Sequence, residues 1–407
     1  MFCGHLNRPH KVGISRAWIG AVSSFPLCTD TEKTAGLAPI ESGAMVVLFV
    51  AFLVSVGITL LLVRRAKSHA HRFFDHDLSG PQKFHSVPVP RVGGIGILLG
   101  VGAGTLAMWL SNPDVGVAAT LLLLCGLPAF GSGLTEDLTK TQSPRRRLFF
   151  TAVSAGLAVF ALDAVINSTA IPGLDWLVSF PLVAAAVTVF VVAGVANSLN
   201  IIDGFNGLAS MCAVLMLTSL GYVGFQVGDA LILWLAVAGV GAVLGFFVWN
   251  FPSGLIFLGD GGAYFLGFYV AELAILLLHR NPTVSPMFPL LVCIYPVFET
   301  VFSIYRRKML RGQPAGMPDG IHLHSLIYRR IMRWAVGKSL MRSHARRNSM
   351  TSPYLWMLCM MAVVPAMLFW DSTPILLAFI ALFATVYTAL YWRIVRFKSP
   401  RWLNSRR

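Results

Sequence analysis

Apolar stretches recur along the chain, separated by short polar segments. An α-helix of about 20 residues crosses the hydrocarbon core of a membrane and satisfies its own backbone hydrogen bonds there. The pattern predicts spans at residues 44–63, 92–110, 115–132, 149–167, 180–196, 208–226, 229–249, 262–279, 285–303, 353–371 and 374–393. The predicted fold class is therefore all-α, a polytopic integral membrane helical bundle of about 11 transmembrane helices.

The segments outside the spans predict the organisation of the chain. Residues 1–43 have mixed polarity and no signal-peptide pattern, so we expect a poorly ordered N-terminal extension. The transmembrane domain covers residues 44–393, and a basic tail covers 394–407. Because Met45 lies at the very start of the first span, a second hypothesis is that residues 1–44 are absent from the protein made in the cell.

Composition supports the membrane class, and the positions of the basic residues explain the net charge. Hydrophobic residues make up 56% of the chain and charged residues 12%, whereas soluble proteins have about a quarter charged residues. Most of the 32 Lys and Arg fall in alternate loops, on one side of the predicted bundle. Such an excess marks the cytoplasmic side. The net charge of +15 therefore reflects topology and favours membrane lipids and anionic substrates, with no nucleic acid as a partner.

Two motifs in the basic loops contain candidate charged groups. Residues 80–94 form a turn-rich loop with Lys83, and its closing glycines allow close approach of a phosphate. The alternative is a topological loop with glycines at the helix entry. Glu136-Asp137 ends a span, where paired acids suit a cation or a proton-transfer role. A charged interfacial cap explains that pair equally well.

Two further loops contain oxygen ligands in a Gly-rich setting. Asn200 and Asp203 are three residues apart, so they converge on one side of a helical turn and suit Mg²⁺. A turn that caps two helices is the alternative. Asp260 lies between glycines at the mouth of a span, as in a metal–diphosphate site, although it also suits a helix N-cap.

The most basic loop contains His322-Leu323-His324. No third or fourth ligand at zinc spacing is nearby. Next to arginines, we expect these histidines to contact a phosphate or sugar hydroxyls. A pair of surface histidines is the alternative.

Taken together, the loops resemble the superfamily of polyprenyl-phosphate N-acetylhexosamine-1-phosphate transferases, glycosyl transferase family 4, and its WecA-like branch more than its MraY branch. The specific matches are Asn-x-x-Asn-x-x-Asp-Gly-x-x-Gly-Leu-Ala at 197–209 and Phe-x-Gly-Asp-x-Gly at 257–262. The motifs follow the family's order, and the resemblance covers nearly the whole chain beyond Met45. It implies a phosphoglycosyltransferase domain in the bacterial inner (plasma) membrane, with catalytic loops on the cytoplasmic face.

The resemblance also implies a reaction. Undecaprenyl phosphate attacks the β-phosphorus of a UDP-sugar, UMP leaves, and a lipid-linked sugar diphosphate begins O-antigen, lipopolysaccharide or other envelope glycan synthesis. Mg²⁺, or Mn²⁺ in its place, offsets the diphosphate charge. UDP-N-acetylglucosamine is the default donor, other N-acetylhexosamines suit the same chemistry, and a homodimer is one candidate assembly.

The roles of individual residues come from matched positions. The resemblance implies that Asp260 is the first metal ligand and catalytic, with Asn200 and Asp203 near the metal and the nucleotide. The other implied roles are lipid-phosphate activation by Asp137 beside Glu136, nucleotide contacts by Asn250 and Phe257, and phosphate or sugar contacts by Lys83, His322 and His324.

Four positions depart from the family pattern. Glu136 stands in place of an Asp, and its extra methylene shifts the carboxylate by about 1 Å, a distance that matters in catalysis. Asn206 and Glu299 each replace an Asp, and Ser325 replaces a His. We favour an active enzyme with altered sugar preference. The competing hypotheses are a transporter or flippase for a lipid-linked or anionic solute, and a catalytically impaired scaffold.

Overall fold

The computed structural model describes residues 31–68, 89–310, 312, 321–332 and 341–396. The chain divides into two units, Met1–Pro39 and Ile40–Arg407, and the site lies in the second. The helices are α1 (Thr31–Ser68), α2 (Gly94–Ser111), α3 (Pro113–Thr139), α4 (Pro144–Leu162), α5 (Pro172–Val178), α6 (Pro181–Ile202), α7 (Leu208–Gln226), α8 (Ala230–Asn250), α9 (Gly259–Arg280), α10 (Met287–Val292), α11 (Ile294–Tyr305), α12 (Leu323–Leu326), α13 (Met341–Leu368) and α14 (Thr373–Val395). Lys83 and most of the two terminal regions lie outside the described residues, so the expectations for them stay predictions.

The all-α membrane bundle is confirmed. Nine helices in the described ranges are long and apolar enough to cross a membrane, and they correspond to nine of the predicted spans. The predicted span 149–167 is misplaced, because α4 begins at Pro144 and ends at Leu162. Ser143 caps its start by accepting the Arg146 N–H, and Pro144 suits the first helical position.

Two other predicted bounds are also wrong. The span predicted at 285–303 is divided between α10 and α11, which Cys293 separates. The span predicted from residue 353 belongs to α13, which begins at Met341 in what the sequence suggested was a loop. Hydropathy detects the apolar part of a helix, so it misses the polar turns that begin α4 and α13, and it does not detect the break at Cys293.

Helix α9 is the most deeply buried span and packs against α2, α3, α6 and α7. Small residues let its first turns approach two neighbouring helices. A Cβ on Gly94 of α2 would lie 2.4 Å from the Gly262 Cα, and one on Gly133 of α3 would lie 2.5 Å from the Gly261 nitrogen. Such close backbone contact is how small residues stabilise helix pairs in membranes. It brings the start of α9 against the start of α2 and the end of α3.

Candidate active site

The ends of several helices meet at one end of the bundle. The segment before α2 is tied to the segment before α9, because the Gly93 N–H donates to the Phe257 carbonyl (3.0 Å) and the Phe257 N–H donates to the Pro90 carbonyl (2.8 Å). The loop after α6 is tied to the end of α8, where the Gly207 N–H donates to Asn250 Oδ1 (2.6 Å). We call this end the polar face; it is formed by residues 89–93, 136–147, 197–207 and 250–261.

Asp137, near the end of α3, caps the start of α9. Its two carboxylate oxygens accept the backbone N–H of Asp260 (3.0 Å) and of Gly261 (2.9 Å). The first N–H groups of a helix lack partners within the helix, and a carboxylate there is stabilised by the helix dipole. Asp260 is the second residue of α9, so the alternative that it serves as the N-cap is wrong.

The glycines around Asp260 admit other parts of the protein. Gly259 has a φ of +77°, and a Cβ there would lie 2.0 Å from the Arg91 carbonyl oxygen and 2.6 Å from Asp137 Oδ2. Only glycine fits this position. Gly93 is similarly enclosed, since its Cβ would lie 2.3 Å from the Phe246 ring. Packing at the helix entries therefore explains Gly93 and Gly259, and the approach of a phosphate to these loops stays a prediction.

Two arginines neutralise the buried Asp260 side chain. Arg147 of α4 makes an ion pair with it, and Arg91 Nη2 lies 3.4 Å from Oδ1. Arg91 Nε is also 3.8 Å from Asp137. The Arg147 guanidinium lies over the Tyr264 ring, 5.7 Å from its centre. Guanidinium groups bind carboxylates and phosphates in the same bidentate geometry, so this pair suits an anionic ligand beside Asp260.

Asp203 follows the last residue of α6 and interacts with Arg91. Burial raises the pKa of Asp203 to about 7, and the Arg91 charge opposes part of that rise. Asp203 also interacts electrostatically with Asp137. Arg91 therefore interacts with the carboxylates of Asp137, Asp203 and Asp260. Six residues before Asp203, Asn197 accepts the Tyr264 hydroxyl (3.2 Å), which brings the Asn-rich end of α6 against α9.

The His-Leu-His motif reaches the Asp203 loop. His322 Nδ1 lies 3.0 Å from the Glu299 carboxylate, which also accepts the Leu323 N–H (3.1 Å). The His322 and His324 rings stack at 5.1 Å. A Cβ on Gly204 would lie 3.6 Å from His324 Nε2. Glu299 therefore holds His322 in place, and His324 lies next to the residue that follows Asp203.

Three further predicted site residues are Glu136, Asn250 and Phe257. The Glu136 carboxylate accepts the Gln142 N–H (2.7 Å) in the turn after α3. The Asn250 amide accepts from Gly207 and donates to the Ile256 carbonyl (2.8 Å). It therefore joins two loops, and the nucleotide contact expected of it stays a prediction. Phe257 is half-buried, and its stacking role also stays a prediction.

The residues fit a Mg²⁺–diphosphate better than a metal held by protein alone. Within the described ranges, no three His, Cys, Asp or Glu side chains are grouped to hold a metal. Mg²⁺ usually keeps several waters and takes one or two carboxylates together with substrate phosphates. Asp203 and Asp260 would supply two carboxylates, and Arg91 and Arg147 would suit the phosphates. The metal assignment for Asp260, Asp203 and Asn200 stays a prediction.

Asn206 connects the Asp203 loop to α13. Its N–H donates to Asn348 Oδ1 (2.9 Å), and its Nδ2 donates to the Pro252 carbonyl (3.2 Å) and to Ser349 Oγ (3.3 Å). Its carbonyl accepts the Ser352 hydroxyl (2.6 Å). An amide can donate to a carbonyl, and a carboxylate cannot. The replacement of the family's Asp by Asn206 therefore matches its surroundings.

Several of these residues have no sequence signal for their role. Arg147 counted only toward the basic excess of the loops, and Arg91 and Tyr264 did not stand out, because the roles of all three depend on contacts between distant helices. The polar start of α13 looked like part of a solvated loop. One usable signal was present, since Asn348, Ser349 and Ser352 lie on one helical face directly before an apolar span.

Known proteins resemble the chain over this region. It matches the sequence model of glycosyl transferase family 4 over residues 119–278. It is 30% identical over 285 residues, 69% of this chain and 77% of the relative, to the "Probable undecaprenyl-phosphate N-acetylglucosaminyl 1-phosphate transferase" of Bacillus subtilis. It is 28% identical over 258 residues, 63% of this chain and 74% of the relative, to the "Undecaprenyl-phosphate alpha-N-acetylglucosaminyl 1-phosphate transferase" of Thermotoga maritima. A "Phospho-N-acetylmuramoyl-pentapeptide-transferase" of Geobacillus kaustophilus is 29% identical over 255 residues, 58% of this chain and 76% of the relative.

Proposed function

Because this chain belongs to glycosyl transferase family 4 and is a multi-pass polyprenyl-phosphate sugar-1-phosphate transferase, we propose that its donor is a UDP-N-acetylhexosamine and its acceptor undecaprenyl phosphate. Two relatives are named for undecaprenyl phosphate and an N-acetylglucosaminyl 1-phosphate group. Those names support UDP-N-acetylglucosamine as the first donor to test.

One observation carries the proposal: the buried Asp260 is held by Asp137 through the backbone and faces both Arg91 and Arg147. In the proposed reaction, an oxygen of the lipid phosphate forms a bond to the β-phosphorus of the donor. The bond from that phosphorus to the bridging oxygen breaks, and UMP leaves with its electron pair. The chain's own contribution is to hold anionic groups in line and to stabilise the charge that develops between them.

Each residue around Asp260 has a separate part in this proposal. Bound Mg²⁺ would neutralise diphosphate charge and polarise the phosphoryl group, with Asp260 and Asp203 as its protein ligands. Arg91 and Arg147 bind the phosphate oxygens. Asp137 is a positioning residue, because both of its carboxylate oxygens accept backbone N–H groups at the start of α9. His324, next to Gly204, contacts the sugar or its phosphate.

The location of the reaction is part of the proposal. Arginines cluster in loops on the side of the polar face, which supports a cytoplasmic orientation in a bacterial inner membrane. A UDP-sugar donor would then reach the site from the cytoplasm. The product would enter O-antigen, lipopolysaccharide or another envelope glycan.

A reconstituted assay tests this function. Purified protein is incubated with undecaprenyl phosphate, Mg²⁺ and radiolabelled UDP-N-acetylglucosamine, and then with other UDP-N-acetylhexosamines. We expect one lipid-linked sugar diphosphate and one UMP for each donor consumed. Absence of product with every donor, from protein that still unfolds cooperatively on heating, would contradict the proposal.

One observation gives the transporter hypothesis a specific basis. Glu272 is fully buried in the middle of α9, and neither carboxylate oxygen has a hydrogen-bond partner among the described residues. Acids at this depth often mark transport pathways. Movement of labelled solute across vesicles without UMP release would favour transport. If the Glu272→Gln variant still transfers the sugar phosphate, Glu272 takes no part in the transfer reaction.

A further inference from the structure

A cavity next to the end of α14 does not have Asp137, Asp203 or Asp260 among its lining residues. It has a volume of about 450 Å³ and is bounded by the end of α11, the segment around α12 and the end of α14. The residues that line it are Arg306, Leu310, Ile321, Leu326, Arg329, Arg330, Tyr391, Trp392 and Val395. None of the three carboxylates around Arg91 is among them, so the cavity is separate from the candidate active site.

The lining of this cavity is strongly cationic. Three of its residues are arginines, and the described residues that line it include no Asp or Glu. Arg306 is held in place by hydrogen bonds to the Ile321 carbonyl (2.8 Å) and the Tyr391 hydroxyl (2.9 Å). Arg330 donates to the carbonyls of Ile394 and Val395 at the end of α14. Guanidinium groups fixed in this way are ordered before an anion arrives, which lowers the entropy cost of binding it.

The position of the cavity points to the membrane as the source of that anion. Helix α14 is the least buried of the candidate spans, so most of its surface is open to the surroundings of the bundle. The cavity lies at the end of α14 where Trp392 is partly exposed, and Trp is enriched at the membrane–water interface. Leu310, Leu326 and Val395 supply apolar wall beside the arginines. This combination matches the boundary between a phosphate headgroup and its acyl chains.

We propose that the cavity binds the phosphodiester headgroup of an anionic phospholipid from the membrane leaflet next to the polar face. Arg306 and Arg330 form its fixed cationic floor, and the exposed Arg329 supplies a third contact. Basic pockets between membrane helices bind anionic headgroups in this way. Arg306 also contacts Ile321, directly before His322, so an occupied cavity would steady the segment that carries the two histidines.

Native mass spectrometry of the full chain in detergent tests the proposal with two lipids that have the same acyl chains. Phosphatidylglycerol is the anionic probe, and phosphatidylcholine is the zwitterionic comparison. We expect the first phosphatidylglycerol to bind at lower concentration. Arg329→Gln should weaken that binding about fivefold, and Arg329→Gln with Arg330→Gln about 25-fold, since each arginine near a membrane surface contributes about a factor of five.

Arg393→Gln is the matched control. Arg393 is exposed on the last turn of α14, next to the lining residue Trp392, and does not itself line the cavity. We expect it to leave the first phosphatidylglycerol affinity unchanged. If Arg330→Gln does not fold, Arg329→Gln alone decides, since its side chain is exposed. Equal affinity for the two lipids, equal effects of Arg329→Gln and Arg393→Gln, or displacement of the lipid by inorganic phosphate would overturn the proposal.

Discussion

The carboxylate of Asp137 on α3 accepts the backbone N–H of Asp260 on α9 at 3.0 Å, across 123 residues of sequence. Its second oxygen accepts the Gly261 N–H at 2.9 Å. The two acids therefore have different tasks. Asp137 fixes the first turn of α9, and this turn holds the Asp260 side chain between Arg91 and Arg147.

Asp137→Asn should damage both this contact and transfer. Asparagine has one acceptor oxygen, so one N–H of α9 loses its partner, and the lost cap costs about 1 kcal/mol of stability. A shift of Asp260 by about 1 Å would lower the transfer rate about 100-fold. Thermal unfolding and single-turnover product formation measure the two effects. An Asp137→Asn protein with unchanged turnover would show that Asp137 does not position Asp260.

Glu136→Gln provides the comparison for that variant. The glutamine oxygen can still accept the Gln142 N–H that Glu136 accepts. We expect a much smaller loss of transfer than in Asp137→Asn, measured under the same conditions. Equal losses would mean that both members of the acidic pair take part in the chemistry.

Arg147→Gln should strengthen metal binding in the absence of substrate. Arg147 makes an ion pair with Asp260, so it opposes a cation at the same carboxylate. Removing a unit charge in contact changes the interaction by more than about 1.4 kcal/mol, which is about tenfold in affinity. Mn²⁺ titration followed by electron paramagnetic resonance measures this, with the exposed Arg145→Gln as the charge-matched control. Weaker Mn²⁺ binding in Arg147→Gln would exclude Asp260 as a metal ligand.

Metal affinity should also depend on pH through Asp203. Burial raises the pKa of this carboxyl to about 7, so Mg²⁺ must displace a proton at lower pH. As the pH rises toward 7, we expect the Mg²⁺ affinity to increase by up to about tenfold per pH unit. Above pH 7 we expect the affinity to level off. Isothermal titration between pH 5.5 and pH 8 at about 25 °C tests this, and Asp203→Asn should remove the slope. A slope that persists in Asp203→Asn would assign the proton to another group.

The same shift affects the stability of the metal-free protein. The pKa of Asp203 lies above its ordinary value of 3.8, so the folded protein keeps a proton that the unfolded chain has already lost. This contribution to stability is complete below pH 3.8, and it is lost as the pH rises to about 7. The difference in melting temperature between pH 5 and pH 7.5 should be smaller for Asp203→Asn than for the native chain.

Asn206→Asp restores the residue common in the family and should destabilise this protein. The Asn206 amide donates to the Pro252 carbonyl at 3.2 Å. A carboxylate at this position has no N–H to donate, so its oxygen would face the carbonyl oxygen without a hydrogen bond. The expected cost is about 1–3 kcal/mol. Thermal unfolding measures it, with Asn112→Asp as the control, because Asn112 caps α3 through an oxygen that aspartate also has. A stable Asn206→Asp protein with higher transfer would show that Asn206 impairs the site.

The sequence predicted the bundle well because hydropathy reports the length of apolar helix that lipid requires. It also predicted that Asp137, Asp203, Asp260 and His324 belong to one site, since their loops alternate to the same side. It did not predict that Asp137 would position Asp260 by accepting backbone N–H groups at the start of α9. That relationship depends on how closely Gly133 and Gly261 let α3 and α9 approach, and no local pattern contains it.

The features of the site that the sequence left open have a related origin. Gly93 and Gly259 suggested space for a ligand, but glycine allows close approach by any group, and here the Phe246 ring and the Arg91 backbone occupy that space. Arg147 is one of the basic loop residues whose charge the topology already explained. Its second task became visible only where the start of α4 meets the start of α9.

The central claim is that Asp260 is the carboxylate on which sugar-phosphate transfer depends. Its most direct test is single-turnover transfer from labelled UDP-N-acetylglucosamine, or from the donor that the panel selects, to undecaprenyl phosphate by Asp260→Asn. Asp114→Asn, an exposed position at the opposite end of α3, is the matched control. We expect Asp260→Asn to form no lipid-linked product while unfolding cooperatively, and Asp114→Asn to match the native rate. Product formation by Asp260→Asn at the native rate would contradict this account.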